Sequence, residues 1–322
     1  MINLEQFRIQ QIDPLKKASL SQPHPNFFIV GAGKAGTTSL WEYLKQHPQI
    51  AMPAELRHKE PCFFSAHYPY RPNLETYLGL FADAAGKKAI GESSHAHLTS
   101  PESAEFIKMT YPDAKIIIIL RNPVERAFSL YQWMLRDGYE WLYPFEKALS
   151  AEDKRLKDEH FEYHAPHYYY NYLYYHSGLY SEQVLRYTER FPKEQIKILL
   201  FDDLKSDAIR LIQELYRFLE VDPYFIPQLK IHNKAQTPLF VSKQYFFRTR
   251  MPILLKQCYV PKPIRKWLTQ SIIAMNISLG KYRSLKLNPA TRHDLLNRYQ
   301  DDIDKTSQLI ERNLDMWLTK KS

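Results

Sequence analysis

The stretch Asn26-Phe27-Phe28-Ile29-Val30-Gly31-Ala32-Gly33-Lys34-Ala35-Gly36-Thr37-Thr38-Ser39-Leu40 constrains this chain more than any other. It reads as an apolar strand, a glycine turn and the start of a helix. Closely spaced glycines let the backbone curl and approach a ligand, and the first amides of the following helix point into the turn with the positive end of the helix dipole. Lys34 adds a full positive charge, and Thr37, Thr38 and Ser39 add hydroxyl donors. A turn of this composition is built to hold an anion.

Spacing separates the kinds of anion. A Walker loop needs Gly-x4-Gly-Lys-Ser/Thr; here Gly36 is followed directly by Thr37 and the lysine sits inside the turn. Gly31, Gly33 and Gly36 satisfy Gly-x-Gly-x-x-Gly, but the dinucleotide turn also wants an acid at the end of a second strand about 20 residues on. Glu55 is in range, preceded by Met52-Pro53-Ala54, a poor strand end.

A second segment points to the same chemistry. Lys115-Ile116-Ile117-Ile118-Ile119-Leu120 is short, β-branched and continuously apolar, the pattern of a buried parallel strand. It runs into Arg121-Asn122-Pro123, and Pro123 suits the first turn of a helix. Ser129 follows about two helical turns beyond Arg121. A strand-end arginine and a serine on the next helix can converge on one phosphate.

With both segments in view, the chain resembles the sulfotransferases that use 3′-phosphoadenosine 5′-phosphosulfate (PAPS), in particular the branch of heparan sulfate O- and N-sulfotransferases and their bacterial relatives. Lys34-Ala35-Gly36-Thr37-Thr38 matches that family's 5′-phosphosulfate turn, and Arg121-x7-Ser129 its 3′-phosphate segment. Lys59-Glu60-Pro61-Cys62-Phe63-Phe64, Gly178-Leu179-Tyr180-Ser181 and Gln195 to Leu204 follow in the family's order, so the resemblance covers roughly residues 25 to 220. It implies a P-loop NTPase-like α/β fold, PAPS as donor, and Lys34, Ala35, Gly36, Thr37, Thr38, Ser39, Arg121 and Ser129 as its contacts. Lys234, in His232-Asn233-Lys234, stands where the family's late cofactor loop is expected.

Strand patterns at 27–31, 89–93, 115–120 and 196–201 alternate with helical patterns near 37–47, 101–110, 123–136, 179–190 and 205–219. This alternation predicts a parallel sheet wrapped by helices. Residues 252–275 and 290–318 read as extra C-terminal helices, the latter with Leu295, Leu296, Tyr299 and Ile303 on an apolar face. With no repeat or low-complexity linker, the expectation is one domain over 1–322: a nucleotide-binding core at 25–220, then the late loop and terminal helices.

The excess of 44 Lys+Arg over 35 Asp+Glu suits a polyanionic donor, whereas the absence of a basic recognition helix argues against nucleic acid. Two cysteines do not make a disulfide framework and fit a reducing compartment. The mixed-charge N-terminal residues carry no long apolar core, so no membrane insertion and a cytoplasmic, bacterial-type enzyme are expected; a homodimer is compatible.

Sulfonate transfer to a hydroxyl or amine by in-line displacement needs a base for the acceptor proton and positive charge for the departing phosphate oxygen. The resemblance makes Glu60 the base and Lys34 the group at the leaving oxygen, with no metal. Phe63 and Phe64 beside Glu60 lead one to expect a raised pKa. His95 and His97 are the rival bases, occupying positions where related enzymes carry proline and tyrosine. Lys59, His95, His97, Tyr168 and Tyr180 are the candidate acceptor contacts. Tyr168 belongs to the tyrosine-rich run from His164 to His176, readable as an acceptor-side wall or as packing, and Tyr180 to the Gly178-Leu179-Tyr180 motif that follows it. Lys154, Arg155 and Lys157 read as a solvated face. The acceptor is expected to be a carbohydrate or a small-molecule natural product, with carbohydrate, lipid, polyketide and small alkaloid all open. A P-loop kinase, or a nucleotide-binding protein without catalysis, is the alternative reading.

Overall fold

The computed structural model describes residues 3–18, 22–229, 238–280 and 285–319. Its contacts gather into two compact units, one of Met1–Asn122, Leu179–His232 and Asp301–Ser322, the other of Pro123–Gly178 and Asn233–Gln300.

The first unit holds the whole sheet. Five strands, β1 (Phe27–Gly31), β2 (Ile50–Ala51), β3 (Ala89–Ser93), β4 (Lys115–Leu120) and β5 (Ile196–Leu200), lie in the order β2-β3-β1-β4-β5. Every pairing is parallel: Phe27 is opposite Gly91 on one side and Lys115 on the other, and Ile116 is opposite Ile196. This is the α/β parallel sheet flanked by helices that the sequence pattern predicts. β1 and β3 are buried at every position, as befits strands covered on both faces. The central position of β1 sends its C-terminal end, and hence the glycine turn, to the middle of the sheet's edge, where open α/β sheets bind ligands. The two-residue β2 escaped the sequence reading because so short a strand has no periodicity.

Helix Thr37–Leu44 follows the turn and buries Leu40, Trp41 and Leu44 against the core. Helices Ser103–Thr110, Tyr180–Thr188 and Ala208–Phe218 fall within the predicted ranges. The start of Tyr180–Thr188 is held by Asp302, which accepts from the backbone amides of Tyr180 at 2.6 Å and Ser181 at 3.1 Å.

The second unit is helical. Helix Pro123–Arg136 has proline at its first position, as expected. The tyrosine-rich run forms short 3-10 turns, Tyr169–Tyr172 and His176–Gly178, with Tyr168, Tyr172 and Tyr174 buried. Arg155 is not on a solvated face: it is buried, donating to Glu140 Oε2 at 2.8 Å and to the Tyr172 carbonyl at 2.9 Å, while the Tyr174 hydroxyl donates to the same Oε2 at 2.9 Å. The predicted 252–275 helix is broken into Met251–Gln257 and Lys262–Leu279, because Pro261 lacks the amide a continuous helix needs. The helix predicted over 290–318 runs from Pro289 to Leu309 and stops before Glu311, which adopts a left-handed φ of 54°.

Candidate functional site

Two residues with left-handed backbone shape the turn after β1. Lys34 has φ 68° and Gly36, which precedes helix Thr37–Leu44, has φ 104°. At Gly36 a side chain would be strained by φ and would crowd the Phe201 ring, with a Cβ 3.0 Å from Phe201 Cδ2. The turn is anchored from below by the Ala32 amide, which donates to the Ile119 carbonyl of β4 at 2.8 Å. Thr37 is buried, whereas Lys34, Thr38 and Ser39 are partly exposed.

The strand-end arginine reaches the same turn. Arg121 Nη1 donates to the Lys34 carbonyl at 3.0 Å, and its guanidinium lies over the Phe201 ring at 4.9 Å. Within the first unit, the structure therefore brings together the lysine-bearing turn and the arginine that the sequence placed 87 positions later. Phe201, at the end of β5, was not singled out from sequence; nothing in Leu200-Phe201-Asp202 marks it as a platform for a cation.

Lys59 and Glu60 approach from another side. Lys59 is almost fully buried, and its Nζ donates to Glu60 Oε1 at 2.6 Å and to Thr37 Oγ1 at 3.5 Å. Glu60 Oε2 lies 2.7 Å from His95 Nδ1. The His95 ring in turn sits against the turn, where a Cβ added at Gly33 would be 3.0 Å from its Cδ2. Turn, Lys59, Glu60 and His95 thus form one continuous cluster.

Burial would by itself raise the Glu60 pKa, but the charges of His95 and Lys59 and their hydrogen bonds outweigh it and hold the carboxyl well below its usual range. The expected upward shift is corrected. Phe63 instead stacks on Tyr77 and Phe64 meets Phe28 edge-on in the core, leaving Lys59 and His95 as Glu60's nearest partners.

The segment carrying Glu60 is hung on the one that follows β3. The Cys62 amide donates to Ser94 Oγ at 2.9 Å, the Phe64 amide to His97 Nε2 at 3.4 Å, and the Ala66 amide to Glu102 Oε1 at 2.7 Å. Ser103 Oγ donates to the Phe64 carbonyl at 2.9 Å. Sequence inspection missed this framework; its only trace was the polar density of Glu92-Ser93-Ser94-His95-Ala96-His97 immediately after an apolar strand.

His97 belongs to that framework. It is fully buried, its Nδ1 lies 3.1 Å from Glu92 Oε1, and burial lowers its pKa to about 3. Burial also pushes Glu92 up to about 8. An enclosed imidazole that already accepts a backbone hydrogen bond does not reach an acceptor, which removes His97 from the acceptor contacts. Tyr180 is also enclosed, its hydroxyl donating to the Arg121 carbonyl at 2.9 Å, so it supports the arginine. Tyr168 is buried in the second unit and packs on Tyr170 at 5.4 Å. Ser129 lies partly exposed on helix Pro123–Arg136 of the second unit. Lys234 lies outside the described residues. Among the described residues no group of three or more His, Cys, Asp or Glu is arranged to hold a metal ion.

Comparison with known proteins agrees with this geometry. The family model described as "Sulfotransferase domain" matches residues 24–234. A membrane-associated sulfotransferase of Dictyostelium discoideum is 26% identical, the match covering 69% of this chain and 64% of that protein. Heparan sulfate glucosamine 3-O-sulfotransferase 5 of Mus musculus is 27% identical over 74% of this chain and 63% of its own length. The chain thus spans less than two thirds of either relative. The crystal structure of a sulfotransferase from Alicyclobacillus acidocaldarius is 30% identical and superposes with a TM-score of 0.68 over 92% of this chain and 99% of that one. The chain belongs to the sulfotransferase domain family.

Proposed function

We propose that this sulfotransferase delivers the sulfonate of PAPS to a hydroxyl or amine of a carbohydrate or small-molecule acceptor, with Glu60 receiving the acceptor's proton. The observation that carries the reading is the continuous cluster of Lys34, Thr37, Lys59, Glu60 and His95 around one turn, with Arg121 tied to the same turn through the Lys34 carbonyl.

Bound PAPS supplies an activated sulfonate on a phosphate leaving group. The residues fit such a donor: the first-turn amides after Gly36 and the hydroxyls of Thr37, Thr38 and Ser39 favour an anion at the helix N-terminus. Lys34 adds the charge that answers negative charge growing on the departing oxygen. Arg121 provides charge for a second phosphate of the donor; Ser129 and Lys234 are separately proposed donor contacts. Lys59 keeps Glu60 ionised and oriented.

A carboxylate held this far below its ordinary pKa is a weak resting place for a proton. His95, 2.7 Å away, does not relieve it at Nδ1: with Glu60 ionised, Nδ1–H is the donor in this contact, so in this reading the acceptor's proton stays on Glu60 through the transfer. The same contact favours a second reading, in which Nδ1–H donates to Glu60 and His95 takes the proton at Nε2, with Glu60 as the orienting group. Both readings use the dyad and differ in which member meets the acceptor.

The test is transfer from PAPS labelled in its sulfonate to panels of carbohydrates and small hydroxyl and amine compounds. Labelled product formed by the wild-type protein and lost in Lys34→Ala supports the reading. Binding of the product nucleotide 3′-phosphoadenosine 5′-phosphate (PAP) with no transfer to any class would favour a nucleotide-binding protein without catalysis.

A further inference from the structure

Charge is distributed very unevenly along this chain. Between Asp222 and Asp294 there is no Asp or Glu, while 13 Lys and Arg fall in the same stretch. Subtracting these from 44 leaves 31 basic against 35 acidic residues elsewhere, so the rest of the chain is net negative and the whole positive excess of +9 comes from this stretch. Residues 238–280 of this stretch carry seven Lys and Arg and hold helices Val241–Thr249, Met251–Gln257 and Lys262–Leu279 of the second unit.

Helix Lys262–Leu279 is turned inside out relative to an ordinary surface helix. Its buried residues are Thr269, Ile273 and Asn276, two of them polar. Asn276 Nδ2 donates to Gln244 Oε1 at 2.7 Å and its Oδ1 accepts from the Phe240 amide at 3.0 Å, so a buried hydrogen-bond network seats the helix by its polar side. The apolar side faces out: Trp267 is 65% exposed, Leu279 60%, Met275 58% and Ile264 49%. At about 100° per residue these four fall within roughly 120° of the circumference, an arc that also holds the exposed Ser271 and Ser278. Next to it, Met251–Gln257 has no buried residue, leaves Ile253 and Leu254 exposed, and is followed by Tyr259 at 94% exposure.

We propose that this face docks on the surface of an anionic lipid bilayer, with helix Lys262–Leu279 lying in the headgroup plane. Exposed apolar residues together with cations and no carboxylate are the composition of an interfacial helix; Arg265 borders the apolar arc, while Lys262 and Lys266 are exposed near the helix start on its other side. Lys262, Arg265 and Lys266 can bury their stems while keeping their charges in the headgroup region, and Trp267 and Tyr259 suit the boundary between water and hydrocarbon. No described helix is long and apolar enough to cross a membrane, so the element lies on the bilayer. A second copy is a poorer occupant, because a self-complementary interface would set seven cations against seven with no carboxylate between them. An acidic polysaccharide would answer the charge, but Ile253, Leu254, Ile264, Met275 and Leu279 offer it no hydrogen bond.

Flotation of the full chain with phosphatidylcholine vesicles, with and without phosphatidylserine, tests this. The protein floats with the serine-containing vesicles at about 0.1 M salt and is released at about 1 M. Replacing Lys262, Arg265 and Lys266 together by Gln lowers the partition roughly 100-fold. Replacing Ile264, Trp267 and Met275 by Ser lowers it at least about tenfold, and this variant keeps the wild-type melting temperature because its altered side chains are exposed; the Gln variant also gives up the 3.4 Å hydrogen bond from Arg265 to the Pro252 carbonyl, so Lys262 and Lys266 are replaced without it as the stability-matched control. The emission of Trp267, taken as the difference between wild type and Trp267→Phe, shifts to the blue on binding. Three results overturn the proposal: no flotation with either vesicle, equal flotation with both, or a dimer in sedimentation that the Ser variant abolishes without any vesicle binding.

Discussion

His95 Nδ1 lies 2.7 Å from Glu60 Oε2, although the two residues are 35 positions apart in the chain. The contact pairs the two residues that compete for the role of base, which makes them one unit. With Lys59 on the other carboxylate oxygen at 2.6 Å, Glu60 is fixed between two nitrogen donors and ionised across the working range of pH. Its geometry is preorganised, and its basicity alone is poor.

Arg121→Ala weakens binding of PAP roughly 10- to 100-fold in titration calorimetry, the scale of a lost charge-assisted hydrogen bond. Lys34→Ala has the smaller effect on affinity and the larger one on transfer, since part of its contribution arises only as the leaving oxygen gains charge. Wild-type PAP affinity in the Arg121 variant would remove it from the phosphate site.

PAP raises the melting temperature in the presence of a chelator, because Lys34 and Arg121 supply the countercharge that a nucleotide kinase takes from Mg²⁺. At a ligand concentration 100 times the dissociation constant the stabilisation is about 2.7 kcal/mol. A shift that appears only with Mg-ATP would point to the kinase alternative.

Glu92 and His97 set opposing pH dependences of stability. Glu92, raised in the folded chain to about 8, contributes stability that is complete below the unfolded carboxyl value and is lost as pH rises through 8. His97, lowered to about 3, contributes stability that is complete above the unfolded imidazole value of about 6.5 and is lost as pH falls toward 3. The two slopes cancel between about 4.5 and 6.5, and above that Glu92 acts alone. Urea unfolding between pH 6.5 and 8 accordingly shows a decline of roughly 2 kcal/mol that Glu92→Gln flattens. An equally steep decline in the variant would mean another group is responsible.

Arg155→Met destabilises the protein by about 3–5 kcal/mol, because it strands the fully buried Glu140 carboxylate. Adding Glu140→Gln recovers part of the loss in the same urea assay. Additive costs would show that the pair is not coupled.

The sequence spoke most clearly where the backbone itself makes the site. β1, its turn and helix Thr37–Leu44 are written in local order, as are β4 and the proline-started helix after it, so the parallel sheet and both anion segments could be read directly. It was silent where side chains meet across long separations. Nothing in Lys59-Glu60-Pro61 says that Lys59 is buried against Thr37, and nothing at His97 distinguishes a base facing an acceptor from a ring that accepts the Phe64 amide. Tyrosine density near 170 was equally ambiguous: nothing in the run shows that Tyr172 and Tyr174 pack over a buried Arg155–Glu140 pair.

Single-turnover transfer from labelled PAPS to a hydroxyl acceptor, compared among wild type, Glu60→Gln and His95→Ala, tests the central claim most directly. Glu60→Gln is predicted to bind PAP with wild-type affinity and to transfer about 10²–10⁴ times more slowly, while His95→Ala, which keeps the carboxylate, loses less and becomes more sensitive to low pH. Transfer by Glu60→Gln at close to the wild-type rate, together with its abolition in His95→Ala, would contradict the account and give the proton to the histidine.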